Sequence, residues 1–381
     1  MPTRVRIVQP LIPKYREPLF AALARVPDFE LEVWADLAPS GRSLKGAAGS
    51  TAFRCVQADY RERGPFLWQP AMRRAVRDGA DVVILPWNTR YAHLLPSLLA
   101  ARRRRVGTIL WGHGIGKRET PLRRRVRNSF LRRADAAIVY SPGIADTLAS
   151  EGIERAKLFV APNSVDQAPI AAATRSWPAE RVAAFLAERG LVPQRHLLYV
   201  ARLEPEKRLD RAIRTLPSLS RDLSLVVVGD GPERTPLEAL ASSLGVRDRV
   251  RFEGAIYDEM ALAPWMLGAA LLVHPGAIGL SLLHAFGYGL PVVTSDDRLP
   301  HGPEIEALAD GENSLLYRDG DLADLAAKIA RIADDSTLRA RLSANARATV
   351  ERPDGWNLGA MVEGFRAAIR TVVEARRTSA S

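Results

Sequence analysis

Short apolar runs recur along the whole chain, and a stretch of helical periodicity follows most of them. In the first half they cover 5–8, 31–34, 82–85, 108–111, 136–139 and 158–161. In the second half they cover 197–201, 225–229, 250–253, 270–274, 291–294 and 314–317. Continuous apolar runs of this length suit strands covered on both faces. Strands that alternate with helices build parallel sheets. Two successive sets predict two doubly wound α/β domains, over 1–165 and 194–355. The segment 166–193, with Pro169, Pro178 and Pro193, is the expected linker. A chain of 381 residues is comfortable for two domains of this kind.

The stretch 261–293 has no Asp, Glu, Lys or Arg, a length that in isolation suggests a membrane span. Pro264, Gly268, Pro275, Gly276, Gly279, Gly287, Gly289 and Pro291 interrupt it, so buried helices and strands are expected instead. The opening residues lack a sustained apolar core, so no signal peptide is expected. A lone Cys55 excludes an intrachain disulfide and fits a reducing compartment. The expected location is the cytoplasm.

Net charge is +11, with the excess concentrated at Arg102 to Arg105 and at Arg123, Arg124, Arg125, Arg127, Arg132 and Arg133. Such patches suit nucleic acid, an anionic membrane or an anionic substrate. Leu122, Val126 and Phe130 fall on one helical stripe among the second group of arginines. A basic amphipathic helix can lie on an anionic leaflet. Peripheral association with the inner face of the plasma membrane is therefore expected, against the plainer reading of a solvated, arginine-rich helix. Nucleic acid is not an expected partner.

The segment YVARLEPEKRLD sets Arg202 and Lys207 at the end of an apolar run. Parallel sheets bind ligands at such strand ends. A guanidinium can grip oxygens bidentately and an ammonium acts as a point charge, so the pair suits a diphosphate. Further on come LSLVVVGDGPE and VHPGAIGLSLLHAFGYGLPVVTSDD. The order and spacing of these segments, most specifically over 195–320, resemble the retaining GT-B glycosyltransferases of the large family often called family 4. That resemblance implies two Rossmann-like domains facing a cleft, with a C-terminal helix that crosses back to the first domain. The pattern Met361, Phe365, Ile369 and Val372 marks 356–377 as the helix.

The resemblance implies a nucleoside diphosphate sugar as donor and a glycan or lipid-linked acceptor. It gives Arg202 and Lys207 the leaving phosphates, with Gly279 and Leu280 opening a helix toward them. His113, in TILWGHGIG, is implied to face the donor sugar and leaving phosphate. Lys14, Tyr15 and Arg16, in the loop after the first strand, are expected to border the acceptor. The catalytic set is thus His113, Arg202 and Lys207.

Most members of the resembled family carry two glutamates seven residues apart. Gly276 and His284 occupy those positions here. His284 is expected to hydrogen-bond the ribose, and His301 and Glu304 to supply the lost polar contacts. For Glu304, a helix-terminal acid held by the dipole is equally open. Hydrogen bonding to sugar and phosphate is also expected to explain His113, His274, His284 and His301 together. Asp319-Gly320-Asp321 reads as a turn and helix cap rather than a metal motif. No cofactor and no obligatory metal are expected. Two alternatives are a non-catalytic sugar-nucleotide-binding scaffold that lost its glutamates and another GT-B enzyme, such as a sugar-nucleotide epimerase.

Overall fold

The computed structural model describes residues 1–37, 51–77, 79–116 and 119–378. The chain divides into two compact units, Met1–Asn163 with Leu358–Ser381, and Ser164–Asn357.

The strands of the first unit, in chain order, are β1 (Thr3–Val8), β2 (Phe29–Ala35), β3 (Arg54–Gln57), β4 (Arg61–Arg63), β5 (Phe66–Trp68), β6 (Val82–Pro86), β7 (Gly107–Trp111), β8 (Ala136–Val139) and β9 (Leu158–Val160). Seven of them form one sheet in the order β3-β2-β1-β6-β7-β8-β9, with every pairing parallel. The chain winds outward from β1 in one direction and from β6 in the other. The strand order therefore reverses between β1 and β6, and open sheets of this kind bind ligands beyond the carboxyl ends at such a reversal. The remaining two strands, β4 and β5, pair as an antiparallel ribbon.

The helix Leu358–Thr378 closes this unit. Met361, Phe365, Ile369 and Val372 are buried in the core that also contains Ile84, Ile109 and Ile138. Close approach needs glycine on both sides of this contact. A Cβ on Gly107 would lie 2.5 Å from Val372, and one on Gly364 would lie 2.3 Å from the Val160 carbonyl oxygen.

The second unit contains β10 (His196–Val200), β11 (Ser224–Val228), β12 (Val250–Gly254), β13 (Leu271–His274), β14 (Val292–Ser295) and β15 (Leu315–Tyr317). Their order is β12-β11-β10-β13-β14-β15, again parallel throughout. Here the order reverses between β10 and β13. The uncharged stretch 261–293 resolves into most of the helix Glu259–Gly268, then β13, the helix Ser281–Gly287 and the start of β14. Among the described residues no helix is long and apolar enough to cross a membrane.

The segment 166–193 is not a free linker. It folds as the helices Gln167–Ser176 and Ala179–Ala187. Ile170, Ala173, Val182 and Leu186 are buried in one core with Leu198 and Leu272. Its prolines do not interrupt these helices: Pro169 lies in a first turn and Pro178 at an N-cap, where a missing N–H costs nothing.

Candidate functional site

In the second unit, four loops meet at the carboxyl ends of β10, β11, β13 and β14. The loop after β10 carries Arg202 and Lys207, and the loop after β13 carries Gly276 to Leu280. These two flank the point where the strand order reverses. They are joined by backbone and side chain: Ala277 N donates to the Glu206 carbonyl at 3.0 Å, and Lys207 Nζ donates to the Ala277 carbonyl at 2.8 Å. Gly276 makes the junction possible. A Cβ there would stand 2.3 Å from Glu206 O and 2.7 Å from Lys207 C, inside backbone that cannot rotate away.

The Gly229-Asp230-Gly231 turn supports the same loop from the other side. A Cβ on Gly229 would lie 1.9 Å from Ala201 O, and one on Gly231 would lie 2.5 Å from Leu203 O. Leu203 N donates to Asp230 O at 3.0 Å. The glycines thus hold the Arg202 backbone at the strand end. Arg202 itself extends outward: its side chain is 63% exposed and pairs with Glu204 at 3.0 Å.

The histidines correct the expectation of shared sugar and phosphate contacts. His274 is fully buried and stacks on Tyr199 at 5.4 Å. Burial first, then the nearby Lys207 charge, push its pKa down to about 3, so it stays neutral. His301 is also buried, with Nδ1 accepting from Ile278 N at 3.1 Å and Nε2 donating to Ser295 O at 3.0 Å. An amide only donates and a carbonyl only accepts, so the ring is the neutral Nε2–H tautomer. Its two bonds tie the backbone at Ile278 to that at Ser295.

His284 contacts the carboxylate of Glu259 at 2.8 Å, and that carboxylate also accepts from Tyr288 Oη at 2.6 Å. Burial raises the Glu259 pKa, but the His284 bond and charge and the Tyr288 bond outweigh it, leaving the group below its ordinary value. Nothing in the sequence pattern had marked Glu259, which lies one residue beyond the N-cap Asp258. Glu304 is buried, its Oε2 lying 3.7 Å from the position of a Cβ on Gly279.

Asp319 is bonded to Ser295 at 2.9 Å and paired with Arg211, while Asp321 accepts from Asp324 N at 3.0 Å as a helix cap. Both carboxylates thus have structural partners.

In the first unit, His113 is exposed after β7, with its ring edge-on to Tyr140 at 4.9 Å. Lys14 and Tyr15 are exposed in the turn after β1, whereas Arg16 is buried. Tyr140 was not singled out, although it directly follows β8 and a strand-end rule would have found it.

In the helix Pro121–Arg133 part of the apolar stripe faces outward and one of its arginines faces inward. Leu122 is 69% exposed and Val126 is exposed too, while Arg127 is only 4% exposed. Arg127 pairs with Glu119 at 2.7 Å and Glu151 at 3.0 Å, which is why a charged residue can face inward. The outer surface therefore carries two apolar side chains among Arg123, Arg124 and Arg125.

Comparisons with known proteins agree with this architecture. Residues 20–168 match the model described as Glycosyltransferase Family 4, and residues 188–349 match Glycosyl transferases group 1. A lipopolysaccharide core biosynthesis glycosyltransferase of Rhizobium meliloti is 28% identical over 81% of this chain and 81% of its own. An Anabaena protein, HepE, solved in complex with UDP, superposes with a TM-score of 0.73 at 17% identity, covering 97% of this chain and 100% of its own. WaaG, a glycosyltransferase involved in lipopolysaccharide biosynthesis, superposes with a TM-score of 0.65 at 18% identity, covering 96% and 99%.

Proposed function

Because the chain belongs to the GT-B glycosyltransferases of family 4 and group 1, we propose that it moves a sugar from a nucleoside diphosphate donor to a hydroxyl of a glycan or glycolipid acceptor, with retention of anomeric configuration. Assembly of a surface polysaccharide is the setting that the Rhizobium relative supports. The observation that carries the donor assignment is the clasp of Lys207 and Gly276 at the reversal between β10 and β13, with Arg202 exposed beside it.

In this reaction the bond from the anomeric carbon to the diphosphate oxygen breaks, and its electron pair leaves with the phosphate. A bond from the acceptor oxygen to the same carbon replaces it, and the proton of the acceptor hydroxyl passes to the departing phosphate oxygen. The main demand on the protein is pre-placed positive charge where the leaving phosphate becomes more negative. We assign that charge to Arg202 and Lys207, and the phosphate approach to the backbone at Gly279 and Leu280. We assign it to no divalent ion, because Asp319 and Asp321 are engaged with Arg211, Ser295 and a helix end. His284, braced by Glu259 and Tyr288, is the proposed polar contact to the nucleotide; His301 acts indirectly, by holding Ile278.

Acceptor-dependent release of nucleoside diphosphate from a panel of nucleotide sugars tests this reading. A converted sugar nucleotide formed without acceptor would favour an epimerase, and tight binding with no turnover would favour a scaffold.

The outward Leu122 and Val126 among arginines support a membrane-facing role for the helix Pro121–Arg133. Native protein is expected to sediment with phosphatidylglycerol vesicles at low salt and to be released as salt rises. A Leu122→Asp/Val126→Asp variant should stay in the supernatant, because both side chains are already exposed and their loss leaves the core intact. Native protein that never sediments at low salt would contradict this part of the proposal.

A further inference from the structure

Arg16 is 7% exposed, yet its bonded partners are neutral. It donates to Tyr140 Oη at 3.0 Å and to Met361 Sδ at 3.6 Å. Its guanidinium lies over the rings of Tyr15, Trp111 and Tyr140, at 5.2, 4.9 and 5.1 Å. Among the described residues no carboxylate pairs with it. The chain treats its other enclosed guanidiniums differently: Arg127 has Glu119 and Glu151, and Arg6 has Glu32 at 2.8 Å.

Aromatic faces attract a cation but carry no counter-charge, and a buried charge is ordinarily matched by an opposite one. Neutral partners alone are therefore a poor match for a buried guanidinium, and an oxyanion is the partner that completes it.

The location suits a ligand. Arg16 ends the turn Lys14–Arg16, after β1, beside the reversal of strand order in the first unit. Tyr140 follows β8, and the exposed His113 follows β7 with its ring against Tyr140. Lys14 is exposed on the same turn. We propose that Arg16, with Tyr140 and His113, forms an oxyanion-recognition site that takes a phosphate or carboxylate carried by the acceptor sugar. That the anion belongs to the acceptor rests on the proposed transfer reaction; the anion site itself does not.

Calorimetric titration of the full chain with glucose 6-phosphate, glucuronate and glucose tests the site. The native protein should bind at least one anionic sugar about tenfold or more tighter than glucose, the scale of one charge-assisted hydrogen bond. Whichever of the two binds identifies the group. Arg16→Met should lose that preference while melting no lower than the native protein, since it removes a buried charge without a carboxylate partner. Its affinity for UDP should be unchanged. Arg16→Lys keeps the charge without the planar fork and should also weaken anion binding, which preserves the test if the methionine variant fails to fold. Equal binding of glucose and both anionic sugars by the native protein, or unchanged anion affinity in a folded Arg16 variant, would overturn the site. Absence of UDP binding by the native protein would instead count against the transfer reaction.

Discussion

Arg202→Ala and Lys207→Ala are each expected to lower the rate of sugar transfer by about 10²–10³, the scale of losing one preorganised donor to a developing oxyanion. The two residues differ in how they are held, so the losses should differ in character. Arg202 is 63% exposed and bonded only to Glu204 among the described ion pairs, so its truncation should leave the melting temperature unchanged. Lys207 also closes the clasp to Ala277, so its truncation should loosen that loop as well as remove charge. Steady-state kinetics beside thermal unfolding separates the two effects. A folded double variant with full activity would remove the diphosphate assignment.

Gly276→Ala is expected to cost about 1–3 kcal/mol of stability, the usual price of overpacking, and most of the activity with it. The added carbon would meet backbone atoms of Glu206 and Lys207 at 2.3, 2.7 and 2.8 Å, so the entire loop must move. That motion would strain the Ala277–Glu206 bond and carry the Lys207 ammonium away from its place. Gly279→Ala is the informative control. Its Cβ would meet only Glu304 Oε2 at 3.7 Å, an ordinary contact, so it should fold normally. Any activity lost at Gly279 would then report on phosphate approach. Denaturant unfolding and transfer rates on both variants check this, and a Gly276→Ala protein with native stability and rate would contradict it.

The same geometry recasts the absent glutamates. Gly276 stands where most members of the resembled family carry a glutamate. The packing gives a cause: no side chain fits at 276 while the loop after β10 lies against it. A single chain cannot reveal this, because the contact joins residues 70 positions apart, as Lys207 and Ala277 do.

Other parts were legible. Every apolar run proposed as a strand overlaps one and overruns it by at most one residue, because strands covered on both faces advertise themselves as unbroken hydrophobic runs. Three strands escaped notice: β3 and β4, Arg54-Cys55-Val56-Gln57 and Arg61-Glu62-Arg63, are largely polar and have no such signature, and β5, Phe66-Leu67-Trp68, is apolar but only three residues long. The helices in 166–193 were missed because their prolines looked like interruptions. At the site, cations at strand ends were visible from the spacing alone. Burial was not: Arg16 reads like its exposed neighbours Lys14 and Tyr15, and His301 and His274 read like ligand contacts until their backbone and ring partners are seen.

The central claim is that the loop after β10 holds the donor diphosphate. Titrating UDP and uridine into the native protein and into the Arg202→Ala/Lys207→Ala variant measures it directly. The native protein should bind UDP about tenfold or more tighter than uridine, because charge-assisted bonds to the phosphates add to the contacts with the nucleoside. The double variant should lose that difference while keeping its fold. A double variant that binds UDP as tightly as the native protein does would contradict the account.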